Sequence, residues 1–186
     1  MHWESLHELL AFRLLDADPR VISFTEQPLT VIYVLDGVMR KHYPDIMVAT
    51  INSKELWEVK TEEEANEPET VQRTALMEAG LPNFGFDYRV VTPTSLSSEV
   101  EHANALVILR RGRASVSALA RERIRRVAQI VNPITWGDIH AGLLGENGVA
   151  EMSRLILEGA FSFDRSLPLR DGTVISGTGF STYKWE

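Results

Sequence analysis

The feature that most constrains the fold is a pair of short apolar runs within residues 42–60, HYPDIMVATINSKELWEVK. Residues 46–48 and 56–59 are rich in the aliphatic and aromatic side chains that favour strands. Asn52 and Ser53 lie between the two runs and are typical turn residues. The pattern therefore predicts two adjacent strands joined by a tight turn, which is a β-hairpin.

Three charged residues occupy defined positions on this hairpin. Asp45 begins the first strand, and Glu58 and Lys60 are two residues apart on the second. Successive side chains on a strand point to opposite faces, so Glu58 and Lys60 share a face, and hairpin pairing brings Asp45 near it. Two carboxylates close together raise each other's pKa and need a compensating cation. The hairpin therefore predicts a functional site.

Paired carboxylates of this kind suit Mg²⁺, because the ion binds oxygen atoms from one or two protein carboxylates together with water and substrate phosphate. A neighbouring lysine can orient the attacking water. Pro44-Asp45 and Glu58-Val59-Lys60 resemble the PD-(D/E)xK nuclease signature. A second interpretation stays open on these residues alone, namely a solvated edge strand with alternating charge.

Composition limits the chemistry that is available. The chain has 186 residues, of which 44% are hydrophobic, so it can form the core of one domain or of two small ones. It contains no cysteine, which excludes disulfides, thiolate metal sites and a cysteine nucleophile. No apolar run approaches the roughly 20 residues that cross a bilayer. We expect a soluble, cytoplasmic protein without a membrane partner.

Charge is unevenly distributed along the chain. The formal net charge is −7, yet residues 110–126 contain seven arginines and one glutamate. Two interpretations are open: this segment binds nucleic-acid phosphates, or its arginines pair with acidic side chains elsewhere on the surface. The arginines that the first interpretation assigns to DNA binding are Arg110, Arg111, Arg113, Arg121 and Arg125.

The N-terminal half of the chain predicts an α/β domain. Residues 3–16 have leucines at helical spacing, and Glu8 lies too deep in this helix for the helix dipole to explain an acid. A strand-like stretch at 21–34, broken at a proline, and a strand at 40–48 follow, with Asp36-Gly37 as a turn between them. One helix followed by three strands is the start of the α/β core of PD-(D/E)xK nucleases, in which the helical acid can reach the metal side.

A helix at 69–79 and a strand at 88–92 complete this first domain. We therefore predict an α/β, restriction-endonuclease-like nuclease core at 1–94, in which a mixed sheet is flanked by helices. The remaining residues, 95–186, predict a small helical, winged-helix-like domain.

The second domain has helices first and a hairpin last. Its helices are predicted at 99–109, 115–131, 135–144 and 148–157, and two short strands flank a turn at 170–172. Helices followed by a hairpin are typical of the winged-helix pattern. The helix at 148–157 carries Glu151 and is followed by Glu158, so it suits a protein contact or a bracing role better than readout of bases.

The segment from residue 4 to residue 60 resembles the TnsA-like endonuclease family, whose members nick DNA at the ends of Tn7-like transposons. Several independent short matches occur in the family's order. They are Glu4-Ser5-x-x-Glu8, Asp18-Pro19, Glu26-Gln27-Pro28-Leu29, Tyr43-x-Asp45 and Glu58-Val59-Lys60.

This resemblance implies an active site, a cofactor and partners. Glu8, Asp45, Glu58 and Lys60 fall on the family's catalytic positions. Asp45, Glu58 and the Val59 carbonyl would ligate Mg²⁺, for which Mn²⁺ can substitute, and Glu8 would hold a second ion or a bound water. Lys60 would position the nucleophilic water. The implied partners are DNA, a transposase subunit and an ATPase regulator.

Two other functions stay open on the sequence. One is a phage or defence nuclease of the same fold, and the other is a non-catalytic DNA-binding adaptor whose acids are relics. His7 and His42 are expected close to the acids, either as ordinary polar neighbours or as aids to phosphate binding. The sequence has no phosphate-binding glycine loop, Ser-His-Asp arrangement or dinucleotide fingerprint.

Overall fold

The computed structural model describes residues 6–178, and the chain divides into two compact units between Ser97 and Ser98. The sequence placed this boundary after Thr94. The short helix at Pro93–Leu96 belongs to the first unit, because Leu96 packs against that unit's core. No helix in the described part of the chain is long and apolar enough to cross a membrane.

The first unit is built on a four-stranded mixed sheet. Its elements in chain order are α1 (Leu6–Ala17), β1 (Val21–Glu26), β2 (Val31–Leu35), β3 (Val38–His42), β4 (Ile46–Thr50), β5 (Lys54–Val59), α2 (Glu62–Ala65), α3 (Pro68–Gly80), a short 3₁₀ helix (Leu81–Phe84), β6 (Asp87–Val91) and α4 (Pro93–Leu96). The sheet has the order β1-β4-β5-β6, in which β5 and β6 are parallel and the other neighbours antiparallel. A mixed sheet flanked by helices agrees with the predicted α/β core.

The predicted hairpin is present as β4 and β5, with Ile46 opposite Trp57. The Thr50 hydroxyl oxygen accepts a 3.0 Å hydrogen bond from the Ser53 N–H, which closes the turn. This short turn fixes the register of the two strands. The start of β4 therefore lies beside the end of β5.

Each face of the sheet packs against a helix. On one face, Ala11 and Phe12 of α1 pack with Ile46 and Val59. The opposite face packs against α3 and contains a second core of Leu56, Met77, Leu81 and Tyr88. The two central strands are thus covered on both sides, so charged groups at their ends are partly removed from water.

The prediction of one continuous strand at 40–48 is wrong. The chain forms β3 and β4 instead, interrupted at Tyr43-Pro44-Asp45, because Pro44 is fully buried and has no N–H to donate to a neighbouring strand. β2 and β3 form a separate two-stranded ribbon. Its turn uses Asp36 and Gly37, whose φ angles are 52° and 76°. The first three strands of the chain therefore do not form one sheet.

The second unit combines helices with a small three-stranded sheet. Its elements in chain order are α5 (Glu99–Arg111), α6 (Ala118–Ile130), β7 (Ile134–Thr135), α7 (Trp136–His140), α8 (Gly148–Leu157), β8 (Phe161–Ser162) and β9 (Val174–Gly177). The sheet has the order β7-β9-β8, and both neighbouring pairs are antiparallel. Its core contains the fully buried side chains of Ile124, Ile139, Met152 and Ile156.

Two helices of this unit are shorter than predicted. The helix predicted at 115–131 starts after Ser117, whose hydroxyl oxygen caps the first turn. The helix predicted at 135–144 ends at His140, because the chain turns soon afterwards at Gly142 with a φ angle of 94°. Both boundaries are set by short-range backbone geometry.

Other predicted elements agree with the structure. The helix predicted at 148–157 is α8 with the same bounds, and the strands predicted around 170–172 are the paired β8 and β9. The helix predicted at 3–16 is α1. Residues 3–5, which include Glu4 and Ser5 of the family-like motif, lie outside the described residues.

Candidate active site

Asp45, Glu58 and Lys60 lie together where β4 begins and β5 ends. Asp45 immediately precedes β4, Glu58 is the penultimate residue of β5, and Lys60 follows that strand. Because the two strands are antiparallel neighbours, these ends lie side by side. The hairpin thus brings the three residues to one end of the sheet.

Hydrogen bonds fix Asp45 in place. Its N–H donates to the Trp57 carbonyl at 2.9 Å, and its carbonyl accepts from the Gln27 N–H at 2.8 Å. Its side-chain Oδ2 accepts from the Val59 N–H at 2.7 Å. The carboxylate is therefore held against the peptide that joins Glu58 to Val59.

Glu58 is a buried carboxylate, since only 4% of the residue is exposed. Its Oε1 lies 3.1 Å from the Lys60 Nζ and 3.3 Å from Nη2 of Arg73, which comes from α3. Its Oε2 is buried and has no hydrogen-bond partner among the described residues. Two cations thus compensate one oxygen atom, while the other oxygen lacks a donor.

His42 lies beside the second oxygen of Glu58. Its Nε2 is 3.4 Å from Glu58 Oε2 and 2.9 Å from the Tyr88 hydroxyl oxygen. Burial lowers the pKa of His42 from 6.5 to about 4, and the charges of Arg73 and Lys60 act in the same direction. His42 is therefore neutral near pH 7, and its contact with Glu58 is not an ion pair.

The Asp45 carboxylate is in an unfavourable environment. Burial, followed by the charge of Glu58, raises its pKa from 3.8 to about 6, although the Val59 N–H and Lys60 act in the opposite direction. The charge of Glu8 also raises this pKa. The carboxylates of Glu58 and Glu8 are thus close enough to repel that of Asp45, and a bound cation would relieve this repulsion.

Lys60 stays positively charged. Burial lowers its pKa, but the charges of Glu58 and Asp45 and the hydrogen bond to Glu58 outweigh burial and raise the pKa above its usual value. A protonated ammonium cannot accept a proton from water. Lys60 is therefore suited to orient a water molecule or a phosphate, not to act as a base.

Glu8 lies on the side of α1 that faces the sheet. It precedes the buried Ala11 and Phe12 by three and four residues, a spacing that shares one helix face. Its side chain is partly buried, and its charge acts on Asp45. The structure thus places all four predicted catalytic residues in one region.

These acids do not form a preorganised metal cage. Within residues 6–178, no group of three or more His, Asp or Glu side chains is placed so that it could hold a metal ion. The ligand set predicted from the family, Asp45, Glu58, Val59 and Glu8, therefore stays a prediction.

Residues 18–93 match the family model described as the TnsA-like endonuclease N-terminal domain. This match supports a TnsA-like N-terminal domain over residues 18–93. The resemblance inferred from the motifs is therefore confirmed. The matched segment contains Asp45, Glu58 and Lys60, whereas Glu8 precedes it. No curated protein matches the chain.

Sequence reasoning missed two residues of the TnsA-like domain that surround Glu58, namely Arg73 and Tyr88. A signal for Arg73 was present, because it follows Thr70 by three residues and precedes Met77 by four. Thr70 and Met77 are the buried residues of α3, so this spacing places Arg73 on the buried face of the helix. A charged residue at such a position needs a buried partner.

Outside the TnsA-like domain, the arginine-rich segment divides into two groups. Arg121 Nη1 lies 2.5 Å from Glu158, and Arg125 Nη2 lies 2.7 Å from Glu122. Arg123 and Arg126 also form ion pairs, with Glu151 and Glu122 respectively. This part of the segment shows the surface pairing that the second sequence interpretation describes.

Arg110, Arg111 and Arg113 form the other group, at the C-terminal end of α5. All three side chains are exposed. Arg111 Nη1 is 3.4 Å from His140 Nε2, whereas Arg110 and Arg113 have no ion pair within residues 6–178. Their positive charge is therefore available to an external anion.

Proposed function

We propose that the chain is a metal-dependent DNA endonuclease that nicks DNA at transposon ends together with partner subunits. The observation that supports this most strongly is the grouping of Asp45, Glu58 and Lys60 at one end of a mixed sheet, within a TnsA-like domain. Glu8 adds a third acid from α1. Acids with an adjacent lysine suit hydrolysis of a phosphodiester.

The donor chemistry of the site fits Mg²⁺, with Mn²⁺ as a substitute. Its carboxylates offer hard oxygen atoms, Asp45 is destabilised by its acidic neighbours, and Glu58 Oε2 is buried without a donor. Asp45, Glu58 and the Val59 carbonyl would hold the ion, with Glu8 nearby. When bound, the ion lowers the pKa of a coordinated water and neutralises charge on the scissile phosphate.

The protein's own groups supply orientation. The Val59 N–H holds the Asp45 carboxylate in one position. The Lys60 ammonium is the most exposed of the cations on Glu58, with 27% of its side chain accessible. It can therefore turn from Glu58 towards the attacking water or the phosphate. His42 stays neutral and adds no charge to the site.

We assign the second unit a winged-helix-like architecture, supported by its helices and its small antiparallel sheet. In this proposal Arg110, Arg111 and Arg113 contact DNA phosphates, because their charges are exposed. One glutamate within α8 and one just after its C-terminal end form ion pairs with arginines of α6. We therefore assign α8 a bracing or protein-contact role. A transposase subunit and an ATPase regulator are the partners that the family implies.

One observation favours a second candidate, a non-catalytic DNA-binding adaptor. Glu58 already has two cationic partners, and the acids within residues 6–178 do not form a metal cage. In an adaptor, these ion pairs would serve stability alone. The two candidates differ in whether the site binds a divalent cation.

Nicking of supercoiled plasmid tests the proposal. The purified chain is assayed with Mg²⁺ or Mn²⁺ and with EDTA, alone and with the partner subunits. We expect metal-dependent nicking that is lost in Lys60→Ala, with an unchanged circular dichroism spectrum, and is retained in Lys54→Ala. Lys54 is a suitable control because it is exposed at the opposite end of β5.

Calorimetric titration with Mn²⁺ separates the two candidates. We expect binding by the unaltered chain and loss of binding in Asp45→Ala. A chain that binds DNA but not Mn²⁺ would identify the adaptor. Nicking by Lys60→Ala at the unaltered rate would show that this lysine has no part in the reaction.

A further inference from the structure

Arg73 supplies a fixed positive charge behind the candidate active site. Only 15% of its side chain is exposed, and its Nη2 is 3.3 Å from Glu58 Oε1. Burial lowers its pKa, but the charge of Glu58 and an interaction with Tyr88 outweigh burial. A guanidinium remains charged throughout the physiological pH range. Glu58 therefore has a permanent counter-ion that comes from α3.

Lys60 shares the same oxygen atom but is held differently. Its Nζ is 3.1 Å from Glu58 Oε1, and its side chain is nearly twice as exposed as that of Arg73. Lys60 lies just beyond the end of β5, whereas Arg73 lies within a packed helix. One cation is enough to neutralise one carboxylate. The more exposed Lys60 is thus the partner that can leave.

We propose, on the basis of the proposed function, that Arg73 is a positioning residue that holds Glu58. Its charge frees Lys60 to contact the water or the phosphate. The same charge lowers the affinity of the site for divalent cations. Arg73 itself touches neither the substrate nor the ion. It acts through Glu58, because its charge remains on that carboxylate when Lys60 moves away.

Removal of this charge has two opposite consequences. A cation beside a metal-binding carboxylate repels a divalent ion, so its loss strengthens metal binding. Lys60 would then be the remaining cation on Glu58 Oε1, so it would be less able to move to the substrate. We therefore expect tighter metal binding together with slower cleavage. A residue that served stability alone would not separate these two quantities.

The test is calorimetric titration of the full chain with Mn²⁺. Arg73→Gln removes the charge but retains a hydrogen-bond donor, and Arg73→Lys retains the charge. We expect Arg73→Gln to bind Mn²⁺ about tenfold more tightly, and Arg73→Lys to stay within about threefold of the unaltered chain. Where nicking is measurable, it should slow in Arg73→Gln at saturating metal and recover in Arg73→Lys.

Arg40→Gln is the matched control, because Arg40 also pairs with a glutamate of α3, Glu69, but at the surface. It removes the same charge from the chain and should leave Mn²⁺ affinity unchanged. An equal gain in affinity in Arg40→Gln would attribute the effect to net charge and overturn the proposal.

Metal affinity decides the proposal by itself. A folded Arg73→Gln protein with unchanged or weaker Mn²⁺ affinity would overturn it and leave the proposed nuclease intact. If the unaltered chain does not bind Mn²⁺, the proposed nuclease fails and this inference fails with it. If both Arg73 variants lose the native circular dichroism spectrum, Arg73 is a structural residue and the proposal is overturned.

Discussion

Replacement of Asp45 by asparagine should stabilise the metal-free protein. Asparagine has nearly the same shape and retains an oxygen that can accept the 2.7 Å hydrogen bond from the Val59 N–H. It removes a negative charge that burial and Glu58 disfavour. Most substitutions destabilise a fold, so a gain in stability would be a distinctive result.

The size of the gain follows from the pKa of Asp45. A shift from 3.8 to about 6 corresponds to about 3 kcal/mol between the charged and neutral forms. Asp45 is partly exposed, and solvent screening reduces this to about 1–2 kcal/mol. For a chain of this length, such a gain raises Tm by about 2–8 °C.

The sign of the pH dependence is defined. A carboxyl group whose pKa is raised on folding destabilises the protein when it is ionised. The cost is therefore complete above about pH 6 and disappears as the pH falls below 3.8. Asparagine does not titrate. The advantage of Asp45→Asn should thus be largest near neutral pH and vanish in acid.

The assay is urea unfolding in EDTA, measured for both proteins near neutral pH and near pH 4. The pH dependence of stability that comes from His42 has the opposite sign. Its pKa is about 4 in the folded chain and 6.5 when it is exposed, so the folded chain loses stability as the pH falls from 6.5 to 4. The difference between the two proteins cancels the His42 contribution to first order. Added Mn²⁺ should stabilise the unaltered chain more than Asp45→Asn.

Two results would refute this reasoning. The first is an Asp45→Asn protein that is less stable than the unaltered chain in EDTA near neutral pH, which would make Asp45 a structural residue. The second is a stability difference of equal size at both pH values, which would show that the charge of Asp45 is not its cause.

Two further predictions concern the second unit. Replacement of Arg110, Arg111 and Arg113 by glutamine should weaken DNA binding and reduce the slope of log affinity against log salt by up to about 3. Arg126→Gln should change the slope little, because Arg126 pairs with Glu122. Fluorescence anisotropy over a salt series measures affinity and slope, and an unchanged slope in the triple variant would exclude phosphate contacts by these three arginines. Gly112→Ala should cost about 1–3 kcal/mol in urea unfolding, because the added Cβ would lie 2.8 Å from Leu157 Cδ1 and 2.9 Å from a backbone nitrogen of α8. Gly172→Ala is the control, since its Cβ would meet no atom within 4 Å; equal stability of the two variants would mean that α5 and α8 are not tightly packed.

Much of the candidate site was predictable because its geometry is local. Alternation along β5 places Glu58 and Lys60 on one side of a strand, whatever the rest of the chain does. The turn at Asn52 and Ser53 then fixes the hairpin register, so Asp45 must lie near the end of β5. The motifs between residues 4 and 60 resemble those of the TnsA-like family, and that resemblance implied the roles that geometry alone leaves open.

The strand boundaries were less predictable, because the strand-like sequence pattern continues across a point where the chain leaves one sheet and enters another. Residues 40–48 have a strand-like pattern, yet Pro44 divides them into strands of two different sheets. Which partner a strand selects depends on packing with distant residues. The ribbon of β2 and β3 is therefore a property of the assembled unit.

The sequence by itself determined the hairpin, the charged residues at its end and the absence of thiol chemistry, since these depend on neighbouring residues or on composition. Only the tertiary structure decided what surrounds Glu58. Arg73 comes from α3, Tyr88 from β6 and His42 from the end of β3. These elements are far apart in the chain and come together through a shared core, in which apolar side chains of α3 and β6 are buried. Burial in turn sets the pKa values of Asp45 and His42, because desolvation depends on every residue that excludes water from the site.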